Sequence, residues 1–372
     1  MLLLDMVTIH DVAKLAGVST ATVSRSFTAS SALSDETRER VLEIAGKLNY
    51  RPRGVDASRV RVNGKSAQPV VSTTIGFEYF ASAPSDTLAS NGFYGAILDG
   101  AQAEAARLGM HMLLSTTYRH KKSPELPQMV REQAVAGLLL VGAADADIIE
   151  SFIPHVRNIV LLDNRDVQGQ HDSVFSDSFG GSYEATKHLL DLGHNQIGFL
   201  TTRTADLAFK ERLNGYVCAH FHAGVTIHPN YIVRIGLPED AENDALTARD
   251  LRERSGQELL AFLKRPHRPT AFVTANDDHA TILMKACRTL SIAIPAAMSV
   301  VGFDDADSSS ETDPPLTTVR VDMREMGKAA VRRLNTRIVS AQKGEAPYAP
   351  VFELLPTKLI VRETTAPPSI SG

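Results

Sequence analysis

The chain has 372 residues, room for two or three domains at a usual size of about 150 residues each. With 43% hydrophobic and 22% charged residues, its composition is that of a globular protein and excludes collagen-like, coiled-coil and disordered classes. The formal charge of −4 taken alone argues against a nucleic-acid partner, but residues 1–65 carry +3 and the remainder −7, so the basic charge sits at the front.

No apolar run reaches the ~18 residues of a membrane span. Met1 to Leu4 is followed at once by Asp5, without the basic flank and longer apolar core of a secretory leader, so a cytoplasmic protein is expected. Cys218 and Cys287 are far apart in sequence and are expected to be core thiols, with no disulfide framework or zinc site.

Three short helices are predicted between Thr8 and Asn49. Thr8, with Asp11 three residues on, starts the first as a variant capping box. Its apolar positions are Ile9, Val12, Ala13 and Ala16, and Gly17 ends it. Ser19 or Thr20 caps the second helix, which holds Thr22 to Phe27. The third begins at Ser34, has Asp35 and Glu36 at its positive N-terminal end, and turns Val41, Leu42, Ile44, Ala45 and Leu48 inward. Pro52 stops that helix, and the basic stretch Arg53 to Val62 with the polar residues Asn63 to Gln68 reads as hinge and linker.

Beyond Val70, strands and helices alternate. Strands are predicted at Thr74 to Tyr79, Met110 to Thr116, Val135 to Val141, Asn158 to Leu162, Gln196 to Thr201, Tyr231 to Ile235, Ala271 to Ala275 and Ser299 to Phe303. Helices are predicted at Gly92 to Leu108, Ser182 to Leu192, Ala208 to Gly224, Gly256 to Lys264 and Asp278 to Leu290. The rhythm implies parallel sheets covered by helices, and two sheets rather than one, because so many strands in one open sheet is unusual.

The run Val7-Thr-Ile-His-Asp-Val-Ala-Lys-Leu-Ala-Gly-Val-Ser-Thr-Ala-Thr-Val-Ser-Arg25, with Leu33 to Val41 and Leu48 to Pro52, closely resembles the DNA-binding head of the LacI/GalR family. Leu192 to Phe199, Glu211 to Tyr216, Thr274 to Asp277, Ser299 to Asp305 and Pro314 to Val319 resemble that family's effector domain, in the same order. The resemblance implies an α/β protein with an all-α helix-turn-helix head and a two-lobed periplasmic-binding-protein-like core of doubly wound parallel sheets. The expected head is residues 1–52, the hinge 53–73 and the core 74–363. Within the core, residues 74–167 and 322–341 are expected in one lobe, 168–320 and 347–363 in the other, with 364–372 as a flexible tail.

A recognition helix needs small or polar residues at its first turn and a cation able to pair with guanine. The resemblance puts Arg25 on a base and makes Thr20 with Ala21 the site-selecting pair. It puts Thr8, Ser19, Thr22, Ser24 and Thr37 against phosphates; ordinary caps and solvated faces are the plainer alternative for these hydroxyls. Tyr50, Arg53 and Arg59 complete the expected DNA-binding set. At the hinge the chain has Asp56-Ala57-Ser58-Arg59, where family members commonly carry an Ala-Arg-Ser-Leu-like helix whose Leu wedges the minor groove. Either Arg59 enters a narrow minor groove with less bending, or the segment is a solvated linker.

Ligands of open α/β folds bind outside the carboxyl ends of the strands. Asp163, Asn276, Asp277 and Asp304 follow predicted strands there, and the resemblance makes them, with Arg212, the family's effector positions; strand-end capping of neighbouring helices is the plainer alternative, for Asp277 above all. Carboxylates and a forked guanidinium suit the hydroxyls of a sugar. Family sugar binders often add a stacking aromatic before the Ser255-Gly256-Gln257 helix; Leu251 stands there, leaving Phe80, Phe93, Tyr94 or Phe303 as candidate rings. The expected ligand is therefore a sugar, with a purine or nucleoside second. No cofactor or metal is expected, and with no GxSxG, Walker or GxGxxG motif an enzyme is disfavoured. The expected partners are a pseudo-palindromic double-stranded operator and a second copy of the chain, since one small head buries little surface on DNA. A transport-type sugar-binding protein shares the core but has no use for residues 7–50.

Overall fold

A computed structural model describes residues 8–26, 33–47, 74–81, 86–118, 125–144, 146–164, 169–202, 206–236, 248–345 and 349–369. Tyr50, Arg53, Asp56 and Arg59, and with them the hinge reading, lie outside the described residues. The chain divides into two units, residues 1–72 and 73–372.

The first unit holds α1 (Ile9–Ala16), α2 (Thr20–Ser26) and α3 (Asp35–Lys47). Gly17 takes φ 65°, the left-handed conformation that lets the chain leave α1 and re-enter helix three residues later. Val12, Ala13, Ala16, Val23, Val41 and Ala45 form the core, with Ile9, Val18, Leu42 and Ile44 packed against it. These are the residues the helical spacing selects.

The second unit contains two six-stranded sheets. One is built from β1 (Thr74–Ala81), β2 (His111–Tyr118), β3 (Leu138–Val141), β4 (Ile159–Leu162), β5 (Asp172–Ser176) and β11 (Phe352–Leu355) in the order β11-β5-β4-β3-β1-β2, and every pairing in it is parallel. The other is built from β6 (Ile197–Thr202), β7 (Ile232–Ile235), β8 (Ala271–Thr274), β9 (Ser299–Asp304), β10 (Thr317–Arg320) and β12 (Lys358–Ile360) in the order β12-β10-β9-β8-β6-β7, parallel except for the edge strand β12.

Eight helices are described beside these sheets: α4 (Gly92–Arg107), α5 (Gln128–Arg131), α6 (Ala146–Phe152), α7 (Ser178–Asp191), α8 (Leu207–Ala223), α9 (Ala248–Leu263), α10 (Asp277–Thr289) and α11 (Met323–Gln342). Helices α4 and α11 touch backbone to backbone: a Cβ on Gly100 would stand 2.0 Å from the Arg324 carbonyl oxygen, and one on Gly327 2.0 Å from that of Ile97. No helix among the described residues is long and apolar enough to cross a membrane.

The chain changes sheet three times, between β5 and α7, between β10 and α11, and between β11 and β12. This corrects the expected lobe limits, because β5 and β11 both belong to the first sheet. Neither is among the predicted strands, so the expected limits are drawn without them. The flexible tail is also corrected as far as Ser369. Thr364 is fully buried, its hydroxyl donates to Val300 O at 2.6 Å and accepts from Thr317 N at 2.8 Å, and Ala366 N donates to Ser299 Oγ at 3.1 Å. Helix α9 starts at Ala248, eight residues before the expected Gly256, because its first turns are polar and carry no apolar period.

Candidate functional site

On α2, the buried positions Val23 and Ser26 face the head's core, and Thr20, Ala21, Ser24 and Arg25 lie on the opposite side. Ala21, Ser24 and Arg25 are exposed and Thr20 is half-buried. Ser19 Oγ accepts from Thr22 N at 3.1 Å and lies 2.9 Å from Thr22 Oγ1, which caps the helix. Ser34 caps α3 in the same way through Thr37, with its hydroxyl 2.8 Å from Thr37 Oγ1. Thr8 and Asp11 form the expected capping box of α1; the Thr8 hydroxyl and N–H both donate to Asp11 Oδ2 at 2.7 Å, and these bonds hold the Asp11 carboxyl below its ordinary range. Thr8, Ser19, Thr22 and Thr37 thus have local bonds already, while the exposed face of α2 is a contiguous surface ending in a guanidinium.

In the core, Asp163 follows β4 with φ 56° and Asp304 ends β9 with φ 114°, left-handed conformations uncommon for aspartate. Both are nearly buried. Arg212, on the second turn of α8 and 2% exposed, brings Nη2 to 3.2 Å from Asp304 Oδ1. It also donates through Nη1 to Ala275 O and through Nε to Ser178 Oγ at 3.4 Å. Its guanidinium lies 3.8 Å from the centroid of the Phe303 ring. Tyr94, from α4, donates to Asp163 Oδ2 at 2.8 Å.

Two carboxylate oxygens at this place, Asp163 Oδ1 and Asp304 Oδ1, are buried without a hydrogen-bond partner; the Arg212 contact to the second lacks hydrogen-bond alignment. Burial lifts Asp304 to about 8 against the pull of Arg212, with Asp277, Asp163 and Asp278 adding to the rise. Burial also lifts Asp163 to about 6, opposed by the Tyr94 hydrogen bond and by Arg212. Beside them, burial and Arg212 hold His279 down at about 4, so it is neutral at physiological pH.

Asp277 is corrected toward its plainer reading, a strand-end group that serves the fold. Its Oδ2 accepts from Ser309 Oγ at 2.6 Å and Ala306 N at 2.9 Å, and its Oδ1 accepts from Thr318 Oγ1 at 2.6 Å. With both oxygens committed to β10 and the turn after β9, it is a structural tie. Asn276 caps α10, its Oδ1 accepting from His279 N at 3.0 Å. Two candidate rings are also corrected: Phe80 is buried against Phe152, and Phe303 is buried beneath Arg212. Sequence reasoning did not assign Ser178 or Asp206 to the site. Asp206 stands at the N-terminus of α8 and raises both Tyr94 and Asp163, and its one legible signal was its place one residue before that helix.

Two family models match the chain: bacterial regulatory proteins of the lacI family over residues 8–53, and the periplasmic binding protein-like domain over residues 186–365. The HTH-type transcriptional repressor PurR of Vibrio vulnificus (strain CMCP6) is 30% identical over 362 residues, 96% of this chain and 98% of that protein. The lac repressor dimer bound to operator and the anti-inducer ONPF superposes with a TM-score of 0.64 at 28% identity, covering 97% of this chain and 99% of that one. A complex of the transcriptional regulator CelR with cellobiose gives a TM-score of 0.64 at 25% identity, over 96% and 99% of the two chains.

Proposed function

Because the chain belongs to the lacI family of bacterial regulatory proteins, we propose that it is a homodimeric repressor whose operator affinity is set by a sugar bound between the two lobes of its core. In this reading Arg25, Thr20 and Ala21 face base edges of a pseudo-palindromic operator, and the caps at Thr8, Ser19, Thr22 and Thr37, with Ser24, stand against phosphates. The protein acts at the nucleoid.

The observation that carries the ligand class is the pair of buried oxygens on Asp163 and Asp304 that lack a hydrogen bond, the second of them ion-paired with Arg212. A buried acceptor left unsatisfied costs free energy, and a ligand rich in hydroxyl donors relieves two such costs at once. A polyol also accepts from the guanidinium, so one molecule satisfies both signs of group. The cellobiose complex of a relative at 25% identity supports the same class. Closure of the lobes on the sugar biases the hinge between DNA-competent and incompetent arrangements.

The test is a gel shift on DNA from upstream of the protein's own gene, with and without mono- and disaccharides and purines. A specific shift altered by one saccharide supports the reading. A shift altered only by a purine replaces the ligand class, and no specific shift on any such fragment overturns the repressor.

A further inference from the structure

A cavity of about 380 Å³ lies between α7, α8 and the segment holding Thr357 and Leu359. Its wall contains Tyr183, Glu184, Cys218 and His222. Cys218 and His222 are four residues apart on α8, so they project from one face of the helix. Cys218 Sγ and His222 Nε2 are 3.9 Å apart, and the other ring nitrogen, Nδ1, is 3.1 Å from Tyr183 Oη on the neighbouring helix. Cys218 is half-buried rather than the core thiol expected from sequence, whereas Cys287 is fully buried.

We propose that Cys218 and His222 bind a borderline-soft divalent transition-metal ion, of the zinc or cobalt class, at the wall of this cavity. Zinc bonds of about 2.3 Å to sulfur and 2.0 Å to nitrogen, at a tetrahedral angle, place those two atoms roughly 3.5 Å apart. The observed 3.9 Å needs only a small side-chain adjustment. With Nδ1–H donating to Tyr183 Oη, the Nε2 lone pair is left for the metal, the outer hydrogen bond that imidazole ligands commonly use. A thiolate–imidazole pair selects against magnesium and calcium, which take oxygen ligands. On binding, the Cys218 thiol loses its proton to solvent, bonds form from its sulfur and from His222 Nε2 to the metal, and the two bound waters they replace leave the ion. No group of three or more histidine, cysteine or carboxylate ligands is present among the described residues, so water fills the remaining positions.

The test is titration of the full-length reduced protein with Co²⁺, read by the thiolate-to-cobalt charge-transfer band. The expected result is one ion per chain, displaced by Zn²⁺, with the band lost in Cys218→Ser and affinity reduced about tenfold in Tyr183→Phe. As a measurement needing no variant, Zn²⁺ should slow alkylation of Cys218 in the native protein. A band that persists in Cys218→Ser, or no band and no protection at millimolar metal, overturns the site and leaves the 3.9 Å contact as a weak thiol–imidazole interaction.

Discussion

The Arg212 guanidinium lies 3.8 Å from the centroid of the Phe303 ring while its Nη2 stands 3.2 Å from Asp304 Oδ1. Adjacent residues of β9 therefore fix the plane and the edge of one fork. A lysine keeps the charge but neither stacks in the same way nor offers two parallel donors. Arg212→Lys is expected to weaken effector binding by at least about tenfold and leave effector-free operator affinity within about twofold. Isothermal titration with the active saccharide, beside a gel shift, measures both.

With Asp304 in the proposed effector site, the effector response is expected to depend on pH with a definite sign. Its carboxyl, lifted to about 8, is mostly protonated at pH 6 and ionised at pH 9. Hydroxyls donating to Oδ1 favour the ionised form, so binding expels a proton below pH 8. Affinity should then rise with pH by up to about tenfold per unit toward 8 and level off above it. Asp304→Asn should flatten the profile. A wild-type affinity constant from pH 6 to 9 would exclude Asp304 from the ligand's hydrogen bonds.

Asp277 and Arg212 both sit at the mouth of β8 and β9, but predictions for them separate. Asp277 holds three hydrogen bonds within the fold and is buried. Removing it orphans Ser309, Thr318 and the Ala306 amide. Asp277→Ala is expected to cost about 3 kcal/mol of stability in denaturant melts, with saccharide affinity in the folded fraction unchanged. A large loss of affinity at full stability would return Asp277 to the ligand.

The helices of the head and most strands of the core were legible because burial imposes a period, and Val12, Val23 and Val41 declare themselves by spacing alone. The pair Arg212 and Asp304 came from resemblance, and the geometry brings them together. A structural duty for Asp277 was one of its two readings, but its partners, Ser309 and Thr318, were illegible at 32 and 41 residues away. The burial of Thr364 was hidden for the same reason, its bonds reaching back to Val300 and Thr317. A polar residue's sequence neighbours say little about whether a distant backbone will claim it.

On the DNA side, the exposed face of α2 separates two kinds of loss. Arg25→Ala removes a cation able to pair with a base edge, and should cost about 1–3 kcal/mol on the operator with relaxed preference at one base pair per half-site. Ser24→Ala should weaken all sequences alike, by less. Binding measured on a library of single-base operator variants distinguishes them. Uniform weakening by Arg25→Ala would assign it to phosphate.

Glu78 supplies a prediction on stability that is independent of any ligand. It lies on β1, fully buried, with neither oxygen in a well-aligned hydrogen bond, although Ser115 and Thr117 on β2 lie close enough to favour its charge. Burial outweighs them and lifts the carboxyl from 4.5 to about 7. Between those values the native state holds a proton that the unfolded chain has released. Stability therefore falls as pH rises from about 4.5 to 7, by about 3 kcal/mol in all, and stays low above 7. Glu78→Gln removes that slope: it should match wild type near pH 5 and melt at a higher temperature at pH 8. Parallel melting curves for the two proteins at pH 5 and pH 8 would mean that Glu78 is ionised and paired in the native protein, with the Ser115 and Thr117 hydroxyls as its donors.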